Sequence, residues 1–113
     1  MDRKQLENKL ANFKDICIQN NCVEGDDFLN IEESYPGMIP TSFIVNVHVK
    51  PAWIKGKYEV YALKELTDLL YETTEKDVLE NVLTLRMWHS KSTSSYSPDE
   101  FIYYDKLQDG KTA

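Results

Sequence analysis

The sequence predicts a small α+β protein built as a two-layer sandwich. A mainly antiparallel sheet of about four strands carries two amphipathic helices on one face, in the order α-β-β-α-β-β. A chain of 113 residues suits a single domain, because two halves would each be too small to bury a core. Its hydrophobic content of 42% and charged content of 28% are typical of a globular protein. Apolar residues recur at helical spacing in two stretches and alternate in several others, which indicates both kinds of element.

The first helix is predicted over residues 3–20. Its apolar stripe comprises Leu6, Leu10, Phe13 and Cys17. These positions lie four, three and four residues apart, which places them on one face of a helix. Asn20 and Asn21 are a natural end, because asparagine tolerates the left-handed backbone conformation that follows many helices. The segment that follows, with its glycines, prolines and acids, is predicted to be mostly loop, with a short strand at 28–31.

The clearest strand covers residues 41–50. Phe43 and three valines alternate there with Ile44, Asn46 and His48, so the two sets point to opposite faces of a sheet. Pro51 ends the strand, because proline has no N–H to donate to a neighbour. After a turn at 55–57, residues 57–63 are predicted to return as a second strand, which makes the pair a hairpin.

A second helix follows at 63–72, with a stripe of leucines at 63, 66, 69 and 70, and a short helical piece lies within 74–81. The third strand, residues 83–88, alternates Leu83, Leu85 and Met87 with Thr84, Arg86 and Trp88. Residues 101–105 are predicted to form the last strand.

The remaining segments are connections. The serine-rich residues 90–98 are predicted to be a flexible loop, and residues 106–113 a frayed tail. The whole chain, 1–113, is predicted to be one α+β domain.

The formal net charge of −6 makes the chain a poor partner for nucleic acid, whose phosphates its surface repels. Its apolar runs are short compared with the ~20 residues of a membrane span, and its charged N-terminus does not resemble a secretory signal. The sequence therefore predicts a cytoplasmic protein that binds neither nucleic acid nor membrane.

The sequence does not indicate a catalytic site or a metal site. Cys17, Cys22, His48 and His89 are residue types that bind zinc. They lack the closely spaced pairs that identify such sites. No glycine-rich phosphate loop or nucleophile elbow is present either. We expect no catalytic residue, no metal and no cofactor; a small metal-binding protein or enzyme is the last of three functional alternatives.

A basic, aromatic segment stands out in this acidic chain. Lys50, Lys55 and Lys57 surround Trp53, and Tyr61 follows in the predicted hairpin. Tryptophan and tyrosine are enriched at the energetic centres of protein interfaces, because they bring large contact area with little entropy to lose. The segment is therefore predicted to contact a partner; the alternative is a hairpin tip that folds over its own core.

A second contact surface is predicted on the sheet face that the helices leave open. Trp88 and Arg86 lie on this face, which is rich in apolar and aromatic residues for one exposed to water. A homodimer through this face is one explanation. A set of carboxylates is predicted to steer a basic target electrostatically: Glu24, Asp26, Asp27, Glu32 and Glu33.

These observations favour a non-enzymatic, protein-binding module that acts by docking to another protein or masking it. In size and charge the chain resembles toxin-immunity proteins and phage-encoded inhibitors of host enzymes. The first alternative is a structural or assembly subunit of a homo-oligomer or phage particle, whose interface would be the same apolar sheet face.

Overall fold

The protein is described by a computed structural model, which covers residues 1–33, 42–89 and 100–104. The predicted loop at 90–98 and tail at 106–113 lie outside these residues. The helices are α1 (Arg3–Lys9), α2 (Ala11–Gln19), α3 (Pro51–Ile54), α4 (Glu59–Thr73) and α5 (Lys76–Leu79). The strands are β1 (Leu29–Glu33), β2 (Phe43–His48), β3 (Val82–His89) and β4 (Glu100–Tyr104). The predicted class, a small α+β fold, is confirmed.

The predicted N-terminal helix forms as two segments joined at Leu10. A capping box begins α1: the Gln5 N–H donates to the Asp2 carboxylate, and the Asp2 N–H donates to the Gln5 side chain, both at 2.8 Å. This exchange satisfies N–H groups that the first turn leaves unpaired. All four residues of the predicted stripe are fully buried, so the helical spacing identified the inward face correctly.

The end of α2 also follows the prediction. Asn21 has the left-handed backbone, with φ of 59°. The N–H of Cys22 donates to the carbonyl of Cys17, and that of Asn21 to the carbonyl of Ile18, both at 3.0 Å. Together these bonds form a Schellman motif, which pairs carbonyls that the last helical turn leaves free. The motif turns the chain so that both cysteines are buried in the core.

The sheet is mixed, with strands in the order β1-β2-β3-β4. The outer pairs β1–β2 and β3–β4 are antiparallel, while the central pair β2–β3 is parallel. Two of the three pairs are thus antiparallel, and the parallel central pair is where the sheet departs from the prediction. The parallel pair needs a crossover, and residues 49–81, with α3, α4 and α5, supply it.

The predicted second strand at 57–63 is wrong, because these residues enter α4 instead. The strand-like composition of this segment comes from Tyr58, Val60 and Tyr61, and all three side chains face solvent. The buried stripe of α4 has helical spacing and begins with Ala62 and Leu63. Burial of that stripe against the sheet overrides the local β propensity of the aromatic residues.

One face of the sheet forms the core with the helices. Buried residues from strands and helices make one cluster, which includes Leu10, Phe13, Phe43, Val45, Val47, Ile54, Leu63, Leu66, Leu85 and Met87. A register irregularity opposite Phe43 and Ile44 leaves Leu83 as an extra residue in β3, and it is half-buried. The opposite face carries Asn46, His48, Arg86 and Trp88, as their alternation predicted.

Candidate functional site

Within residues 1–33 and 42–88, the most exposed aromatic side chains lie where α4 begins. Tyr58, Val60 and Tyr61 are 78%, 67% and 66% exposed, and we call these three residues the tyrosine patch. The rings of Tyr58 and Tyr61 meet edge to face, with centroids 6.0 Å apart, an arrangement that aromatic pairs favour. The pair thus presents a large, partly ordered apolar area to solvent.

Trp53, which the sequence placed at an exposed hairpin tip, is part of the core. It lies on α3, whose first residue is Pro51, a position where the missing proline N–H costs nothing. Its side chain is only 9% exposed, and Ile54 beside it is fully buried. The predicted tip is therefore wrong, and the alternative of an aromatic packed over its own core describes Trp53 correctly.

The lysines of this segment occupy different positions. The Lys57 ammonium lies 4.1 Å from the centroid of the Trp53 ring and 3.2 Å from the Glu65 carboxylate, so a cation–π contact and an ion pair hold it. Lys55 is exposed, and Lys50 is half-buried. A depression of about 320 Å³ lies beside the tyrosine patch and is lined by Gly56, Lys57, Tyr58, Tyr61, Ala62 and Glu65.

A second candidate surface lies on the sheet face away from the helices, at Asn46, Glu32, Arg86, Trp88 and His48. The Trp88 indole N–H donates to the Asn46 Oδ1 atom at 2.8 Å, and the Asn46 amide donates to the Glu32 carboxylate at 3.2 Å. The Arg86 guanidinium reaches the same carboxylate oxygen at 3.3 Å. The rings of His48 and Trp88 stack, with centroids 5.8 Å apart and planes inclined by 13°.

Asn46 explains why this face is ordered. Its side chain is 5% exposed, and a buried carboxamide is costly unless it is hydrogen-bonded. Here the amide links the indole of β3 to the carboxylate of β1 across the middle strand. Asn30, Glu32, Asn46, His48 and Trp88 line a shallow depression of about 260 Å³. The charge of Glu32 in this lining is offset by the Arg86 guanidinium, 3.3 Å away.

The predicted steering residues divide into two groups. Glu24, Asp26 and Asp27 are exposed in the segment between α2 and β1, and we call them the acidic loop. Glu32 and Glu33 are exposed on β1, and Glu32 is engaged with Asn46 and Arg86. Glu32 and Glu33 also line a wide depression of about 630 Å³, together with Asp2, Arg3 and Lys4.

The cysteines do not form a site with His48. Burial raises the pKa of the Cys17 thiol to about 12 and that of the Cys22 thiol to about 11, so both are held as neutral, weakly nucleophilic thiols. His48 lies on the opposite sheet face, stacked on Trp88. Within residues 1–33, 42–89 and 100–104, no three histidine, cysteine or acidic side chains cluster as metal ligands do.

Sequence reasoning missed two residues of the tyrosine patch and the central residue of the sheet-face network. Tyr58 and Val60 were assigned to a strand, so their exposure could not be foreseen. The helical spacing of the buried residues in α4 is the pattern that would have indicated their exposure. The buried positions begin at Ala62, so the residues before it are left facing solvent. Asn46 carried a weaker signal, as the amide in an otherwise apolar strand.

Comparisons with protein-family models, with curated proteins and with solved structures give no match for this chain. None of the helices in the described residues combines the length and apolar character that a membrane span requires.

Proposed function

We propose that this chain is a non-enzymatic protein-binding module that docks to another protein through the tyrosine patch. The observation that carries the proposal is the exposure of Tyr58, Val60 and Tyr61 together at the N-terminal end of α4. Isolated exposed apolar residues are common, but adjacent aromatic side chains are typical of contact surfaces.

The setting of the patch supports this function. Just before it in the chain, Trp53 and Ile54 are buried in the core cluster, so the patch follows a segment that is anchored in the core. An interface built on rigid elements loses less conformational entropy when a partner binds. The neighbouring depression beside Tyr61 offers a recess for a partner side chain. Lys57 and Glu65, which line the same depression, give it a polar edge of the kind that surrounds the apolar centre of an interface.

The experiment compares retention of a partner by three forms of the protein. Extract from the source organism is passed over immobilised wild type, Tyr58→Ala/Tyr61→Ala, and Ile18→Ala. Ile18 is the matched control, because it is an exposed apolar residue on a different helix. We expect one protein to be retained by the wild type and by Ile18→Ala, and to be lost from the tyrosine variant.

The retained protein is then purified and its affinity measured. Truncation of an interface hot spot costs about 2 kcal/mol or more, which is a weakening of roughly 30-fold. Because both tyrosines are exposed, the double variant should keep its unfolding free energy within about 1 kcal/mol of the wild type. A partner that binds all three forms equally would exclude the tyrosine patch as the docking surface.

A further inference from the structure

The acidic loop lies directly against the segment that carries the lysines. Its two ends are tied to the connection between β2 and α3. The Lys50 N–H donates to the Cys22 carbonyl at 2.9 Å, and the His48 N–H donates to the Phe28 carbonyl at 2.8 Å. The intervening carboxylates, at positions 24, 26 and 27, are therefore displayed beside the start of α3.

The tyrosine patch belongs to the same region of the surface. Lys57, which lines the depression beside Tyr61, lies over the Trp53 ring at 4.1 Å, and α3, which carries Trp53, begins directly after Lys50. The Lys50 N–H in turn donates to the Cys22 carbonyl at 2.9 Å. Cys22 is two residues before Glu24. The basic and aromatic half of this surface is thus continuous with its acidic half.

The opposite charges of the two halves do not neutralise each other within one chain. Among the described residues, Glu24, Asp26 and Asp27 make no ion pair, and neither do Lys50 and Lys55. Lys57, the third lysine of this segment, is bound to Glu65 of α4 in the same chain. The loop carboxylates and two lysines are therefore available to groups outside the chain.

From this arrangement we infer that two copies of the chain associate about a two-fold axis. The acidic loop of each copy then lies against Lys50, Lys55 and the tyrosine patch of the other. This inference rests on the proposed role of the tyrosine patch in protein contact, and it names a second copy of the chain as the protein that binds there. Two complementary halves side by side form a self-complementary surface, because a two-fold rotation places each half opposite its counterpart.

Complementary charge and apolar contact both favour association of two copies at moderate ionic strength. Each copy supplies three carboxylates and two lysines to two equivalent contacts, and the aromatic rings supply the apolar area between them. Complementary charges across an interface fix its orientation. The net charge of −6 on each chain opposes association at long range, but salt at physiological strength screens that repulsion beyond about 8 Å.

The test is a charge-reversal experiment read by sedimentation equilibrium. One variant is Lys50→Glu/Lys55→Glu, which makes both halves acidic. The other is Asp26→Lys/Asp27→Lys, which makes both halves basic overall. We expect each variant alone to dimerise at least about 10-fold more weakly than the wild type. An equimolar mixture should recover dimers, because each contact then joins opposite charges again.

The matched control is Lys4→Glu/Lys9→Glu, which makes the same change in net charge at two exposed residues of α1. It should dimerise like the wild type, and circular dichroism should show that all variants fold. Wild-type protein that is monomeric up to about 1 mM, where even weak specific contacts form, would overturn the inference. So would a mixture that remains monomeric while the wild type dimerises.

These outcomes are separable from the proposed docking function. If the wild type is monomeric, a second copy of the chain does not bind the tyrosine patch. Retention of another protein that depends on Tyr58 and Tyr61 would still support docking. A dimer with the expected charge dependence, combined with partner binding that ignores the two tyrosines, would support self-association and reject the docking proposal.

Discussion

The indole N–H of Trp88 donates to the carboxamide oxygen of Asn46 over 2.8 Å, and this bond joins the two central strands on the face away from the helices. Trp88 and His48 lie opposite each other in the parallel pair, and their rings stack, with centroids 5.8 Å apart. Asn46, two residues before His48 on the same strand, orients the Trp88 indole through its hydrogen bond. The order of this face therefore depends on one buried amide.

Replacing Asn46 tests that dependence. Asn46→Ala removes two hydrogen bonds of a buried group and leaves the indole N–H without its acceptor, so we expect a loss of about 1–3 kcal/mol in unfolding free energy. The matched control is Asn30→Ala on the neighbouring strand: Asn30 is exposed and pairs with Asn46 in register. The unfolding free energy of Asn30→Ala should stay within about 0.5 kcal/mol of the wild-type value. Urea denaturation followed by tryptophan fluorescence measures both, and equal losses would contradict the role of Asn46.

Because Trp53 is buried, its replacement should lower the free energy of unfolding more than replacement of Asn46 does. Trp53→Ala removes an indole from the core cluster and leaves a cavity, which costs about 3–5 kcal/mol. Tyr58→Ala, five residues along the chain and largely exposed, should cost less than about 1 kcal/mol. Thermal and chemical denaturation of both variants provide the comparison. A Trp53→Ala protein as stable as the wild type would mean that the ring is not part of the core.

Two buried threonines form a matched pair for a third prediction. The hydroxyl of Thr74 is buried and makes no hydrogen bond among the described residues, whereas that of Thr67 donates to the Leu63 carbonyl at 2.7 Å. Thr74→Val replaces an unsatisfied polar atom with an apolar one of similar shape, and we expect a gain of about 1 kcal/mol.

Thr67→Val removes a satisfied hydrogen bond instead, so its stability should be unchanged or about 1 kcal/mol lower. Unfolding midpoints in urea, measured side by side at constant slope, compare the two. If Thr74→Val is the less stable of the two variants, the Thr74 hydroxyl has a partner that stabilises the native state.

The pKa values of the two thiols predict how the free energy of unfolding depends on pH in the alkaline range. In the unfolded chain Cys17 and Cys22 ionise near pH 9.0, but burial raises the pKa in the folded protein to about 12 and about 11. Above pH 9 the unfolded state therefore releases protons that the folded state keeps. Stability falls as pH rises toward the folded pKa values, by up to about 1.4 kcal/mol per pH unit for each thiol.

The matched comparison is Cys17→Ala/Cys22→Ala, which lacks both ionising groups. The double variant should be less stable at pH 8 because it has lost buried volume, but its stability should fall less steeply between pH 9 and 11. The unfolding free energy measured at several pH values gives both slopes. Parallel slopes would show that the thiols are not buried as the structure has them.

Most of the helical fold could be predicted from periodicity, and the reason is physical. Leu6 and Phe13 are spaced as a helix requires, and a helix with one apolar face must bury it, so the spacing and the burial agree. The end at Asn21 was predictable because few residues other than asparagine and glycine accept a positive φ. The strand at 43–48 followed from its alternation in the same way.

The failures concern information that is not local. The Tyr58–Tyr61 segment has strand-like composition, and only its position beside the long apolar stripe of α4 makes it helical. Parallel pairing of β2 with β3 depends on where a distant segment docks, which no short pattern specifies. On the sheet face, the sequence placed Trp88 and Arg86 correctly. It could not reveal that Asn46 connects them, because that network joins three strands.

The crossover between the central strands also has a consequence for the chain during its synthesis. Strand β2 receives β1 on one edge as soon as both have left the ribosome, but its other edge stays open until residues 82–89 follow. Closing so long a loop carries an entropic cost before the parallel pair can form. A nascent chain thus passes through a stage in which Phe43–His48 exposes unpaired backbone beside apolar side chains, and that stage is where aggregation competes with folding.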